Sequence, residues 1–263
     1  MKAVAWAGMM LAGLTGPTVA LTPQQMAASE TVEILTVPAP SEFFVALDRT
    51  VRPDWASFYR DPGPATFPSR SQKAFNLGVF VTDGYVAVEA QDGQQVKNTG
   101  REIITLARAL GVGEDVLARG KSIADFADKN DWFALREELE ATTNEVRRAL
   151  TGQRDEALAS LIAAGAWLRA LQVGSRAALR AGDDEDASGL LAQTELVGFL
   201  GHSLEVLPEN TRTGPVVTQI REELAALHEV MKTGAAGNDG EPVLEEIQRS
   251  TASLVTALGG KEP

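Results

Sequence analysis

Cysteine is absent from the 263 residues, and that absence excludes more than any motif present. No disulfide framework, thiolate metal site, cysteine nucleophile or lipid-bearing N-terminal cysteine can be built. Basic charge is also scarce: 24 Lys and Arg stand against 36 Asp and Glu, for a formal net charge of −12. Nucleic acid and anionic lipid are bound by clustered Lys and Arg that displace counterions, so neither is an expected partner. Histidine occurs only at His202 and His228. Carboxylate-bridged metal bundles use Glu-x-x-His on facing helices, but Phe199 and Ala225 stand three positions before these histidines. A Gly-x-Ser-x-Gly elbow and a glycine-rich phosphate loop are both missing. Long hydrophobic runs are missing too. After residue 20 the longest uncharged stretch, Ala157 to Leu168, has 12 residues, where a membrane helix needs about 20.

What is present is a globular composition, 44% hydrophobic and 23% charged, which is too apolar for a disordered chain. The N-terminus has the layout of a secretory signal: Lys2, an apolar block from Ala3 to Leu14, and small residues ending at Ala20. Export to the periplasm follows as the expected address. Removal of residues 1–20 takes away Lys2 and shifts the charge from −12 to −13.

Proline divides the remainder. Pro38, Pro40, Pro53, Pro62, Pro64 and Pro68 crowd one stretch, and none occurs from Ser69 to Leu207. Proline clashes inside helices, so the long gap predicts packed helices. Spacings of three and four support it: Trp132, Leu135, Leu139, Thr142 and Val146 form one stripe, and Val217, Ile220, Leu224, Leu227 and Met231 another. A third runs through Leu244, Ile247, Thr251, Leu254 and Leu258. Thr99-x-x-Glu102 and Ser122 read as N-terminal caps, Gly111 and Gly152 as stops. Nothing alternates like a strand.

The expected fold is all-α: an up-and-down antiparallel bundle of seven or eight helices with short connections. No repeat of fixed period argues for a solenoid. Residues 21–70 form an N-terminal extension and residues 71–259 the bundle. Two segments, Ala74 to Val88 and Ala157 to Leu168, are apolar nearly all round, as buried helices are. They should form the centre, with Ala163, Ala164 and Gly165 allowing close approach.

Asn76-Leu77-Gly78 with Asp83 seven positions after the Asn, the helix end Leu106 to Val112, and Ala164-Gly165-Ala166-Trp167 together carry a resemblance. The chain resembles uncharacterised exported helical proteins of Gram-negative bacteria, often lipoproteins, over residues 71–173. The resemblance implies an exported helical bundle and no particular activity. The chain departs from it in lacking a lipid-anchor cysteine.

Asn76 and Asp83 lie two turns apart on one buried helix. They predict either a polar binding spot in the bundle centre or a satisfied structural pair. Arg169 is the nearest candidate partner, although Arg169, Gln172, Arg176 and Arg180 share a stripe that reads as a solvated face. Asp184, Asp186, Ser188 and Glu195 fit positions 1, 3, 5 and 12 of a calcium loop, with Gly189 at position 6. The same acidic run also suits a helix N-terminus. Residues 51–69 carry Trp55, Phe58, Tyr59 and Phe67 among four prolines, either as a recognition surface or as a plug closing one end of the bundle. The expected function is a non-enzymatic binding or interaction module for a protein or small ligand, with no cofactor. A calcium-stabilised module and a hydrolase without a recognisable motif are the alternatives.

Overall fold

The computed structural model describes residues 39–60, 67–182, 189–236 and 240–259. Among them are ten α-helices and no strand: α1 Pro40–Val51, α2 Arg70–Glu89, α3 Gly93–Leu110, α4 Gly113–Lys129, α5 Trp132–Gly152, α6 Glu156–Ala181, α7 Thr194–Glu205, α8 Glu209–Arg212, α9 Pro215–Ala236 and α10 Gly240–Gly259. A short 3-10 turn, Trp55–Phe58, follows α1. The all-α class is as expected. The additional elements over seven or eight come from the short α8 and from α1, which packs with the bundle.

Helix ends follow local chemistry. The Ser69 hydroxyl accepts the Gln72 amide and opens α2, and Asp92 accepts the Gln95 amide and opens α3. Gly111, at φ 91°, closes α3 in a left-handed turn, with Val112 donating to the Ala107 carbonyl and Gly111 to that of Arg108. Asn130 does the same for α4, and the next residue, Asp131, caps α5 through the Ala134 amide. Two expected caps are corrected. Thr99 lies mid-helix and donates back to the Gln95 carbonyl, and Ser122 donates to the Ala118 carbonyl within α4. The Asp92-x-x-Gln95 pair begins α3 seven residues earlier than Thr99-x-x-Glu102, and the uncharged turn it opens continues the helix. Because Asp92 also accepts a bond from Tyr59, Asp92→Ala is expected to cost about 1–2 kcal/mol in a urea melt.

The two all-apolar helices form the centre. α2 and α6 cross so closely that each meets the other's backbone at a glycine. A Cβ on Gly78 would stand 2.0 Å from the Ile162 carbonyl oxygen, and one on Gly165 would stand 2.0 Å from that of Phe75. One turn along, the Thr82 hydroxyl donates to the Ala166 carbonyl at 2.7 Å. Thr82→Val keeps the branched shape but not this bond, and should lose about 1 kcal/mol of stability in a urea melt. Around the pair, α3, α4 and α5 follow α2 as successive neighbours, while α10 packs on α6 and α9 on α7 and α10. Among the described residues only α6 is long and apolar enough to cross a membrane, and 94% of its apolar window is buried by the other helices.

The chain before α2 joins the same core. Phe43, Phe44, Leu47, Trp55 and Phe58 are buried, and their rings meet edge to face in the series Phe44–Trp55–Phe58, with Phe43 against Trp167 of α6. The Trp55 indole nitrogen donates to Asp48. Trp55 and Phe58 therefore plug the bundle, the second of the two roles open to this aromatic stretch. Tyr59 and Phe67 pack against the same core while partly exposed.

Candidate functional site

Asp83 is the organising group. It sits in the middle of the apolar helix α2, where an unpaired carboxylate would cost several kcal/mol. Arg60 donates to its Oδ2 through Nη2 at 2.6 Å and Nε at 3.1 Å. Arg169 of α6 donates through Nε to Oδ1 at 2.8 Å. Both oxygens are thus held by guanidinium groups. Arg169 reaches further, to the Phe58 carbonyl through Nη2 and to Gln172 through Nη1. One carboxylate thereby ties α2, α6 and the segment after the 3-10 turn into one unit.

The solvated stripe expected on α6 is corrected here. Arg169 is 2% and Gln172 1% exposed, because the aromatic segment lies over them and supplies the Phe58 carbonyl. Only the far end of the stripe fits the expectation: Arg176 is half-buried and Arg180 exposed, and both guanidiniums lie over the Phe58 ring.

Burial pushes the Asp83 carboxyl pKa upward, but the charges of Arg60 and Arg169 and the bonds they donate outweigh it and hold the pKa below its ordinary value. The Tyr59 phenol moves the other way. Burial first, and then the Asp92 carboxylate, raise it well above the usual phenol range.

Beside this cluster is a cleft of about 40 Å³ between Tyr59 and Arg60, the α2 residues Phe80, Asp83 and Val86, and the α3 residues Gln95, Asn98, Thr99 and Glu102. Most of its polar groups are already engaged. The Tyr59 hydroxyl donates to Asp92, Thr99 to the Gln95 carbonyl, and the Asn98 amide to Gln95 Oε1. Arg60 is engaged only in part. It is 7% exposed, its guanidinium lies 5.8 Å from the centre of the Phe80 ring, and its Nη1 is buried with no hydrogen-bond partner.

Of the two binding residues expected from sequence, Asp83 lines the cleft and Asn76 does not. Asn76 is buried against the end of α10, donating to the carbonyls of Gln72 and Leu258. Two helical turns separate the residues along α2, and each meets a different neighbour. Arg60 is the residue that sequence reasoning missed. The available signal was charge balance, since a carboxylate in an apolar helix requires a basic group from elsewhere in the chain.

Of the calcium set, Asp184, Asp186 and Ser188 lie outside the described residues, and Glu195 is exposed in the first turn of α7. The described residues contain no cluster of three His, Asp or Glu able to hold a metal. His202 is exposed on α7 and His228 half-buried on α9, and neither lines the cleft. A smaller cavity of about 20 Å³ lies beside Tyr85 and Arg147, where burial raises the Tyr85 phenol pKa and lowers that of Arg147. Comparisons with protein-family models, curated proteins and solved structures return no match.

Proposed function

We propose that this chain is an exported, non-enzymatic binding module whose helical bundle holds a small polar ligand in the cleft at Arg60. The buried Nη1 of Arg60 carries this reading. An unsatisfied guanidinium N–H costs free energy that an acceptor on a ligand would recover. The chemistry of Asp83 supports binding over catalysis: both its oxygens are occupied and its pKa is lowered, so it is a poor proton acceptor. The signal-like N-terminus and the resemblance to exported helical proteins support the periplasmic address. The acidic balance of the chain argues against nucleic acid and anionic membranes as partners.

A thermal-melt panel of small carboxylates, amines, amino acids, amides and sugars tests the binding role. At least one class should raise the melting midpoint of the wild-type chain but not that of Arg60→Lys, because a ligand specific for the folded state must stabilise it. A panel that leaves the wild-type midpoint unchanged throughout rejects the cleft as a ligand site. For export, the chain expressed in a Gram-negative host should be recovered from the periplasm beginning at Leu21. Cytoplasmic recovery with residues 1–20 retained would contradict it.

A further inference from the structure

Once the groups already bonded are set aside, the cleft retains two charged ones. Arg60 Nη1 is a buried cationic donor with no acceptor. Glu102, half-buried on α3, lines the same cleft, and its carboxylate makes no hydrogen bond or ion pair among the described residues. A guanidinium nitrogen with no acceptor and a carboxylate with no donor, in one small cleft, define what would suit both.

We propose that the Arg60 cleft takes a small zwitterion, an α-amino acid or its like, with the carboxylate on Arg60 Nη1 and the ammonium on Glu102. This rests on the reading of the cleft as a ligand site. The other simple classes fit less well. An anion without an ammonium would satisfy Arg60 but place a third negative charge beside Glu102 and Asp83, which is unfavourable at short range in a partly desolvated site. A simple amine would pair with Glu102 and leave the buried Nη1 unsatisfied. A neutral amide could accept from Nη1 but would leave the carboxylate charge of Glu102 unanswered. Size limits the ligand. A water needs roughly 10–15 Å³ of such space, so about 40 Å³ holds at most a carboxylate and one adjoining carbon, and the ammonium lies toward the open mouth. The Phe80 ring and Val86 provide an apolar wall for that carbon. A larger side chain would have to leave through the open mouth.

Calorimetric titration of the full chain with glycine, acetate and methylammonium tests the assignment, with the wild type compared to Glu102→Gln. Glu102 lies on the partly exposed face of α3 outside the Asp83 cluster, so this variant should retain the wild-type melting curve. Wild type should bind glycine about tenfold or more tighter than either acetate or methylammonium, the worth of one additional charged contact. In Glu102→Gln the preference for glycine over acetate should shrink to about twofold or less. If acetate binds wild type as tightly as glycine, or if Glu102→Gln leaves glycine affinity unchanged, the zwitterion is wrong while the cleft remains a ligand site. If none of the three binds, the zwitterion is likewise rejected, and the wider melt panel decides separately whether the cleft binds anything.

Discussion

Gly78→Ala and Gly165→Ala are each expected to destabilise the chain by about 3 kcal/mol or more, enough to threaten folding in a protein of ordinary stability. In each case the new methyl group would sit 2.0 Å from a carbonyl oxygen of the opposing helix. An obstructing side chain can change rotamer, but a helix backbone cannot yield without moving the helix. Here the two helices are the most buried in the bundle and carry the contacts of nearly every other element. Gly152→Ala is the control. Nothing lies within 4 Å of the Cβ it would add at the end of α5, so it should be neutral or stabilising by up to about 1 kcal/mol through helix propensity. Urea melts of the three variants check the account. Equal, small losses at Gly78 and Gly165 would mean that the helix crossing is looser than described.

Asp83→Ala is the second large effect, an expected loss of about 3–5 kcal/mol, because two buried guanidiniums lose the carboxylate between them. Arg60 and Arg169 side chains are 3% and 2% exposed, so water cannot readily replace it. The same group sets a pH dependence. The unfolded chain binds a proton at the ordinary value, 3.8, and the folded chain only at a lower pH. Stability contributed by Asp83 is therefore complete above the ordinary value. It falls as the pH drops from there toward the folded value, by up to about 1.4 kcal/mol per pH unit for one proton. Stability against pH, measured on wild type and Asp83→Asn, should show a shallower acid limb in the variant. Superimposable acid limbs would mean that the two guanidiniums do not hold the carboxylate as described.

The architecture was legible in the sequence where burial leaves a pattern. Ala74 to Val88 and Ala157 to Leu168 are apolar on every side, and both became the centre. Gly165 marked the close approach, and Gly111 and Gly152 marked helix ends. What was not legible is long-range polar pairing. Arg169 and Gln172 repeat at helical spacing with Arg176 and Arg180, so local pattern alone assigns all four to solvent. Their burial depends on Phe58 and Arg60, more than a hundred residues away. Thr99-x-x-Glu102 satisfies the spacing of a cap, but the helix was already under way from Asp92, since spacing alone cannot tell a first turn from a third. Asn76 and Asp83 share a helix and a two-turn spacing, yet α10 takes one and the aromatic segment the other. Their separation follows from where those distant elements dock. The cleft was invisible for the same reason: Tyr59, Arg60 and Glu102 line one cleft because the buried Trp55 and Phe58 and the Arg60–Asp83 ion pair hold the segment before α2 on the bundle.

Structure and proposed role therefore meet at Arg60, which lines the cleft, holds the fold through Nε and Nη2 on Asp83, and leaves Nη1 buried with no hydrogen-bond partner. Nitrogen-detected NMR of its guanidinium, assigned by the loss of its signals in Arg60→Lys, observes that nitrogen directly. During a titration with glycine the Arg60 resonances should shift progressively and saturate, while those of the deeper Arg169 change little. Arg60 resonances that stay fixed while glycine raises the melting midpoint would place the ligand elsewhere and contradict the assignment of the cleft.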